Sequence, residues 1–141
     1  FLESKVFELL SVYLSEVLEL SILSSNHISI SKSDRDSITE AKRIIDSQLA
    51  FAPSCEKLAR QVNISTSKLT KGFSSLFGTS VHAYVIDQRL EKAASLLLES
   101  NLNVSQVAIL VGYSKASNFA AAFKRKYGVN PKNYKAEAKI G

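Results

Sequence analysis

The sequence has little of what disulfide-bonded, metal-binding and membrane proteins need. It contains one cysteine and two histidines. A single cysteine excludes an internal disulfide and a site built from several thiolates, and His27 has no second ligand residue at a suitable spacing. No run approaches the roughly 18 apolar residues of a membrane-spanning helix, and no signal-peptide pattern is present. We therefore predict a cytoplasmic protein with no metal, no cofactor and no membrane contact.

The positive charge is concentrated in one part of the chain. The 141 residues are 45% hydrophobic, enough for one good core or two small ones, and carry a net charge of +5. Residues 1–35 contain five acidic and three basic residues, whereas 36–141 contain fifteen basic and eight acidic residues. This charge favours a polyanionic partner, but charge alone does not separate DNA, RNA and an anionic membrane.

A pattern of two short helices joined by a tight turn occupies residues 102–134. An apolar stripe at helical spacing ends at Gly112, and a second stripe follows at four-residue spacing through Phe119, Phe123 and Tyr127. Ala108 lies four residues before Gly112, where a large side chain would hold the helices apart, and the turn needs a residue that accepts positive φ. This is the layout of a helix-turn-helix, which places its second helix in the DNA major groove.

The chain contains this pattern twice. A shift of 49 or 50 residues superposes seven apolar or turn positions of the two copies: Leu58 on Val107, Ala59 on Ala108, Asn63 on Gly112, Leu69 on Phe119, Phe73 on Phe123, Phe77 on Tyr127 and Gly78 on Gly128. Asn63 replaces the turn glycine, which is acceptable because Asn readily adopts the left-handed conformation. The additional residue of the second copy falls in its turn.

The run VAILVGYSKASNFAAAFKRKYGVNPKNY resembles the carboxy-terminal signature of the AraC family of bacterial transcription regulators. The matching residues are Ala108, Gly112, Tyr113, Phe119, Phe123, Lys124, Gly128, Pro131 and Tyr134. The upstream run KLTKGFSSLFGTSVHAYVIDQRLEKAASLLLES resembles more narrowly the siderophore-uptake regulators of the pyochelin-regulator branch. The resemblance spans roughly Arg35 to Lys135. It implies sequence-specific binding to double-stranded promoter DNA, transcription activation with RNA polymerase as partner, and control of siderophore or iron-uptake genes.

We predict an all-α chain with four segments. Residues 1–33 form an amphipathic helix, Leu2–Leu23, and a polar linker, and the helix either packs on this or another domain or forms a homodimer. Residues 34–79 form the first helix-turn-helix subdomain, 80–100 a connecting helix, and 101–141 the second subdomain. Because residue 1 is Phe and helical spacing begins at once, we expect a portion of a longer protein.

Individual helix boundaries follow from capping residues and spacing. A helix over Asp34–Leu49 is capped by Asp34 or Asp36, Ser54 caps Cys55–Val62, and Ser65 or Thr66 caps a helix that ends near Phe77. The Ser80–Ser100 helix is about 30 Å long, which suits recognition helices about 34 Å apart. A short last turn, Lys132–Ala138, lets Tyr134 pack back on the second subdomain.

The side of each second helix opposite its apolar stripe is predicted to meet the bases. These residues are Thr66, Ser67, Thr70, Lys71 and Ser74 in the first copy, and Lys115, Ala116, Ser117, Ala120 and Ala121 in the second. Lys71 suits guanine, since an ammonium donates to O6 and N7, and alanines suit thymine methyls. Gly72 indicates close packing against a neighbouring helix.

The predicted phosphate contacts are Arg89, Lys92, Lys124, Arg125 and Lys132. Lys124, Arg125 and Lys126 are also favoured at a helix carboxyl end by the helix dipole alone, so the cluster by itself does not prove DNA contact.

Two other classes of protein have some support in the sequence. Cys55 lies near a helix amino terminus, where its pKa can fall, but no histidine is near it in sequence, and we predict no catalytic residue and no enzyme. A helical protein-interaction module with a basic face and only non-specific nucleic-acid affinity is the alternative function.

Overall fold

The part of the chain that can be described consists of helices. The structure is a computed structural model and describes residues 30–140, in which it contains no strand. A short 3₁₀ helix spans Leu49–Phe51, and the seven α-helices are α1 (Lys32–Ser47), α2 (Cys55–Gln61), α3 (Thr66–Phe77), α4 (Val81–Glu99), α5 (Val104–Leu110), α6 (Ala116–Tyr127) and α7 (Pro131–Ile140). The predicted all-α fold is confirmed. The predicted helix Leu2–Leu23 and His27 lie outside the described residues.

The helices belong to two compact units. Among residues 30–140, the first unit consists of 30–41 and Ser54–Val81, and the second unit of Lys42–Pro53 and 82–140. Each unit contains one pair of helices from the repeated pattern, α2 and α3 in the first and α5 and α6 in the second. Residues 42–53, which the sequence placed with the first subdomain, group with the second unit.

Polar side chains fix where most helices begin. Ser54 Oγ accepts from the Lys57 amide at 3.2 Å, and Ser65 Oγ accepts from the Lys68 amide at 3.1 Å, as predicted. Asn103 and Gln106 form a reciprocal capping box at the start of α5. Each cap satisfies an amide that would otherwise have no partner within the helix.

Three boundaries differ from the prediction. The first helix begins at Lys32, two residues early, because Ser31 Oγ accepts from the Asp34 amide at 3.0 Å; Asp34 and Asp36 were the wrong caps. It ends at Ser47, and the chain tightens into the 3₁₀ helix. The final element is a helix of 10 residues, not a short turn, since Asn130 Oδ1 caps it and Pro131 fits its first position.

The first unit buries the inner faces of its helices. Its fully buried side chains include Ile38 of α1, Leu58 of α2, and Leu69 and Phe73 of α3. A Cβ added at Gly72 would overlap Ile38 Cδ1, so α1 packs directly against the backbone of α3, which confirms the close packing predicted for this glycine.

The core of the second unit contains two buried phenylalanine rings. Its buried residues are Leu90, Ala93, Ala94, Leu97, Val107, Ala108, Val111, Phe119, Ala122 and Phe123. The Tyr134 ring lies 5.2 Å from the Phe123 ring, centroid to centroid, in an edge-on arrangement. The prediction that Tyr134 packs back on this unit is therefore confirmed.

The turns after α2 and α5 have the same hydrogen-bond pattern. In the first, the Asn63 amide donates to the Arg60 carbonyl and the Ile64 amide to the Ala59 carbonyl, at 3.3 and 3.0 Å. In the second, Gly112 donates to Ile109 and Tyr113 to Ala108, at 3.1 and 2.9 Å. This is the Schellman motif, and Asn63 and Gly112 occupy its left-handed position with φ of 59° and 102°. The predicted positive φ at both residues is confirmed.

Gly112 is restricted by its neighbours as well as by its backbone angle. A Cβ on this residue would lie 2.8 Å from the Ala50 carbonyl oxygen and 3.0 Å from Arg89 Cζ. Gly128, which ends α6 with φ of 81°, has nothing within 4 Å of the corresponding position. Substitution of Gly128 therefore tests backbone strain alone, whereas substitution of Gly112 tests backbone strain together with crowding.

We expect Gly112→Ala to lower the free energy of unfolding more than Gly128→Ala. Both substitutions place a Cβ on a left-handed backbone, at a cost of about 1–2 kcal/mol, and Gly112→Ala adds a clash with backbone atoms that overpacking data put at about 1–3 kcal/mol. Urea unfolding of the two variants beside the wild type measures the difference. Equal losses would contradict the crowding at Gly112.

Candidate nucleic-acid interface

The second helix of the first unit, α3, presents a polar face opposite its core face. Leu69, Gly72 and Phe73 are buried, whereas Ser67 and Lys71, one turn apart, are exposed. The other predicted base-contacting residues of this helix, Thr66, Thr70 and Ser74, are half-buried at the margins of the exposed face. The face therefore offers a central hydroxyl and ammonium, flanked by three further hydroxyls.

The Thr70 hydroxyl already has partners for its proton within the helix. Its Oγ1 lies 3.0 Å from the Thr66 carbonyl oxygen and 3.2 Å from that of Ser67. A hydroxyl that donates to its own backbone can still accept through its lone pairs. Thr70 therefore presents an acceptor and a methyl group outward.

The two lysines on this helix differ in their surroundings. Lys68 Nζ lies 3.5 Å from Asp34 Oδ2 of α1. Lys71, three residues on, is exposed and has no acidic partner within ion-pair distance among the described residues. Its ammonium is therefore the less neutralised of the two.

The second helix of the second unit, α6, has fewer polar groups at its predicted base-contacting positions than α3. Phe119, Ala122 and Phe123 are buried, while Lys115, which precedes the helix, and Ala116, Ser117 and Ala121 are exposed, and Ala120 is half-buried. These five are the predicted base-contacting residues of this copy. These five positions offer three methyl groups, the Ser117 hydroxyl and the Lys115 ammonium.

Asn118 is a polar residue of this helix that the sequence interpretation missed. It is exposed in the first turn of α6, next to the buried Phe119. An exposed Asn amide can donate to N7 and accept from N6 of adenine.

The predicted phosphate-contacting residues fall into two groups. Lys92, Lys124, Arg125 and Lys132 are exposed. Arg89 is half-buried, and its Nε donates to the Leu49 carbonyl oxygen at 2.7 Å, so one of its donors stabilises the 3₁₀ segment of the same unit. Only its terminal amino groups remain for another partner.

Positive charge is also present beside the second turn. Burial raises the pKa of the Tyr113 phenol, and the charges of Arg89 and Arg125 act in the opposite direction. Both guanidinium groups are therefore near this half-buried ring.

Cys55 does not have the environment of a reactive thiol. It is half-buried, and burial, followed by the charge of Glu56, raises its pKa above the ordinary value of 9.0. The position near a helix amino terminus suggested that the pKa could fall, whereas desolvation and the Glu56 carboxylate both act to raise it.

Within residues 30–140, no group of three or more His, Cys, Asp or Glu side chains is arranged to hold a metal ion. None of the helices described is both long and apolar enough to cross a membrane.

Comparison with known proteins identifies similar chains. A family model described as a helix-turn-helix domain matches residues 58–137. The HTH-type transcriptional regulator MtrA of Neisseria gonorrhoeae is 39% identical over 82 residues, which are 58% of this chain and 27% of MtrA. The regulator AlkR of Acinetobacter baylyi is 40% identical over 83 residues, which are 59% of this chain and 27% of AlkR. The chain therefore spans about a quarter of the length of these relatives.

A solved structure shows the same fold bound to DNA. The DNA-binding domain of the global transcriptional factor AdpA, crystallised with a target DNA, superposes with a TM-score of 0.70 at 26% identity, covering 73% of this chain and 93% of that one. The relatives are transcription regulators and the matched fold is that of a DNA-binding domain, in agreement with the prediction that this chain is not an enzyme.

Proposed function

This chain belongs to the helix-turn-helix family of AraC-type DNA-binding domains, and we propose that it regulates transcription by sequence-specific binding to double-stranded promoter DNA. The observation that supports this best is the repeated turn: each unit holds its second helix by the same Schellman hydrogen bonds and leaves the face opposite the core exposed. A helix presented in this way fits the major groove, where its first turns meet base edges.

The proposed base contacts differ between the two helices. On α3, Lys71 donates to guanine O6 or N7. Thr70 accepts from adenine N6 or cytosine N4, because its own proton is directed to the backbone. Ser67, Thr66 and Ser74 complete this surface. On α6 the alanines contact thymine methyls, and the polar groups are Lys115, Ser117 and Asn118.

Phosphate contacts position the domain and supply sequence-independent affinity. We assign them to the exposed side chains Lys92, Lys124, Arg125 and Lys132. Arg89 joins them only through its terminal amino groups, since Leu49 takes its Nε.

A selection of binding sites from genomic fragments, followed by salt titration, tests the proposal. We expect a defined sequence to be enriched and, with about five phosphate contacts, log affinity to fall with log salt at a slope of about −4.5. Salt-dependent binding without a preferred sequence would favour a helical interaction module with non-specific affinity for nucleic acid. A slope near zero would exclude phosphate binding.

Lysines on the two recognition helices are expected to behave differently when replaced. Lys71→Ala should lose about 1–3 kcal/mol of discrimination at one or two base pairs, since a base contact is removed. Lys124→Ala should weaken all sequences equally, since a phosphate contact is removed. Affinities for every single-base variant of the selected site measure both effects. Uniform weakening by Lys71→Ala would contradict its role as a base reader.

We further propose that the whole protein activates transcription with RNA polymerase in the cytoplasm and controls siderophore or iron-uptake genes. The support is the resemblance of residues 68–100 to the siderophore-uptake branch. The genomic selection tests the target: recovery of fragments from unrelated promoters alone would count against it.

A homodimer through residues 2–23 is proposed from their sequence pattern, which places Val6, Leu10, Tyr13, Leu14 and Val17 on one apolar side. Leu10→Glu combined with Leu14→Glu should convert the dimer to a monomer in sedimentation and leave binding to a half-site intact. A monomeric wild-type chain would contradict this proposal.

A further inference from the structure

The three consecutive basic residues at the end of α6 point to different sides of the helix. Lys126 lies three residues after Phe123 and seven after Phe119, both fully buried, so it leaves the helix on their side, and although the residue is exposed, its side chain is partly covered. Lys124 lies seven residues after Ser117, and Arg125 four after Ala121, so these two continue the exposed side. Neighbours in the sequence therefore have different surroundings.

Lys126 meets two acidic side chains of α4 in the same unit. Its ammonium donates to Asp87 Oδ1, and it lies 3.6 Å from Glu91 Oε1. Asp87 and Glu91 are one turn apart on α4 and face the same side of it. Partial burial is the largest single effect and lowers the pKa of Lys126, but the hydrogen bond and charge of Asp87, together with the charges of Tyr127 and Glu91, raise it, and the net pKa is raised. The Lys126 ammonium is therefore positively charged and is held in place by Asp87 and Glu91.

This acidic pair contributes little to holding the fold together. The side chains of Asp87 and Glu91 are 51% and 54% exposed, and ion pairs open to solvent add little to stability. Their carboxylates also offset the positive charge that Lys126 carries at the end of α6. Without them, Lys126 would be a third free cation beside Lys124 and Arg125, on a flexible stem of four carbons.

Resting on the proposed DNA binding, we propose that Asp87 and Glu91 limit the sequence-independent DNA affinity of the second unit by holding Lys126 away from the phosphates. Phosphate contacts add affinity for every sequence alike. The acids therefore reduce binding to random DNA and to the target by the same factor, and leave discrimination between bases to the exposed face of α6.

The test is the double variant Asp87→Asn, Glu91→Gln, with and without Lys126→Gln, titrated with salt on a random-sequence duplex and on the selected duplex. With Lys126 present, the slope of log affinity against log salt should steepen by about 0.9, one phosphate contact, so that a fourfold rise in salt weakens binding about 3.5-fold more than in the wild type. The affinity ratio between the two duplexes should not change. With Lys126→Gln, the steepening should disappear.

A matched control carries the same charge change at exposed acids elsewhere in the second unit, Glu99→Gln with Glu137→Gln. It should leave the slope unchanged. An equal steepening in the control, or in the Lys126→Gln background, would show that the acids simply repel DNA and would overturn the proposal. An unchanged slope in the double variant would also overturn it.

Two further measurements keep the result interpretable. Thermal unfolding checks that each variant is folded. If the double variant does not fold, each single acid substitution should steepen the salt slope by a smaller amount. Wild-type protein that shows no salt-dependent binding to either duplex would reject the proposed function itself. Wild-type binding with an unchanged variant slope rejects only the role of the acidic pair.

Discussion

The left-handed turn after the first helix of each motif is the constraint on which both units depend. Its two hydrogen bonds fix the direction in which the chain leaves α2 and α5, and thereby the side of α3 and α6 that meets the core. A turn with another backbone angle would carry Phe73 or Phe119 away from the interior, where both are fully buried. Asn63 meets the requirement for positive φ in one unit. In the other, only glycine also leaves room for the Ala50 carbonyl and the Arg89 guanidinium.

Once the core-facing side of α3 or α6 is fixed, the direction in which each charged side chain leaves that helix is fixed as well. On α6, the positions that follow the buried phenylalanines turn toward α4, and those that follow Ser117 and Ala121 turn toward solvent. The three consecutive basic residues of α6 therefore differ. Lys126 forms an ion pair with Asp87 of α4, whereas Lys124 and Arg125 extend into solvent. In the proposed DNA complex, only the lysines and arginines that are free to neutralise phosphates would add to sequence-independent affinity.

Much of the fold was predictable because its signals are local. Ser54, Ser65 and Asn63 act through amides and carbonyls within five residues of themselves, and the apolar spacing of α3 and α6 repeats every three or four residues. The start of a helix was less predictable where two residues could each act as the N-cap. Ser31 and Asp34 both precede the apolar stripe of α1, and only the backbone path selects Ser31.

The amino-acid sequence by itself determined the repeat, the positive φ of both turns and the polar and apolar sides of α3 and α6, because these follow from local residue types and from spacing along one helix. Only the tertiary structure decided which charged groups are free. Arg89 meets a carbonyl 40 residues away and Lys126 a carboxylate 39 residues away, and the pKa of Cys55 depends first on burial. Such partners are brought together by the packing of helices that are distant in sequence, and no pattern within a single helix records them.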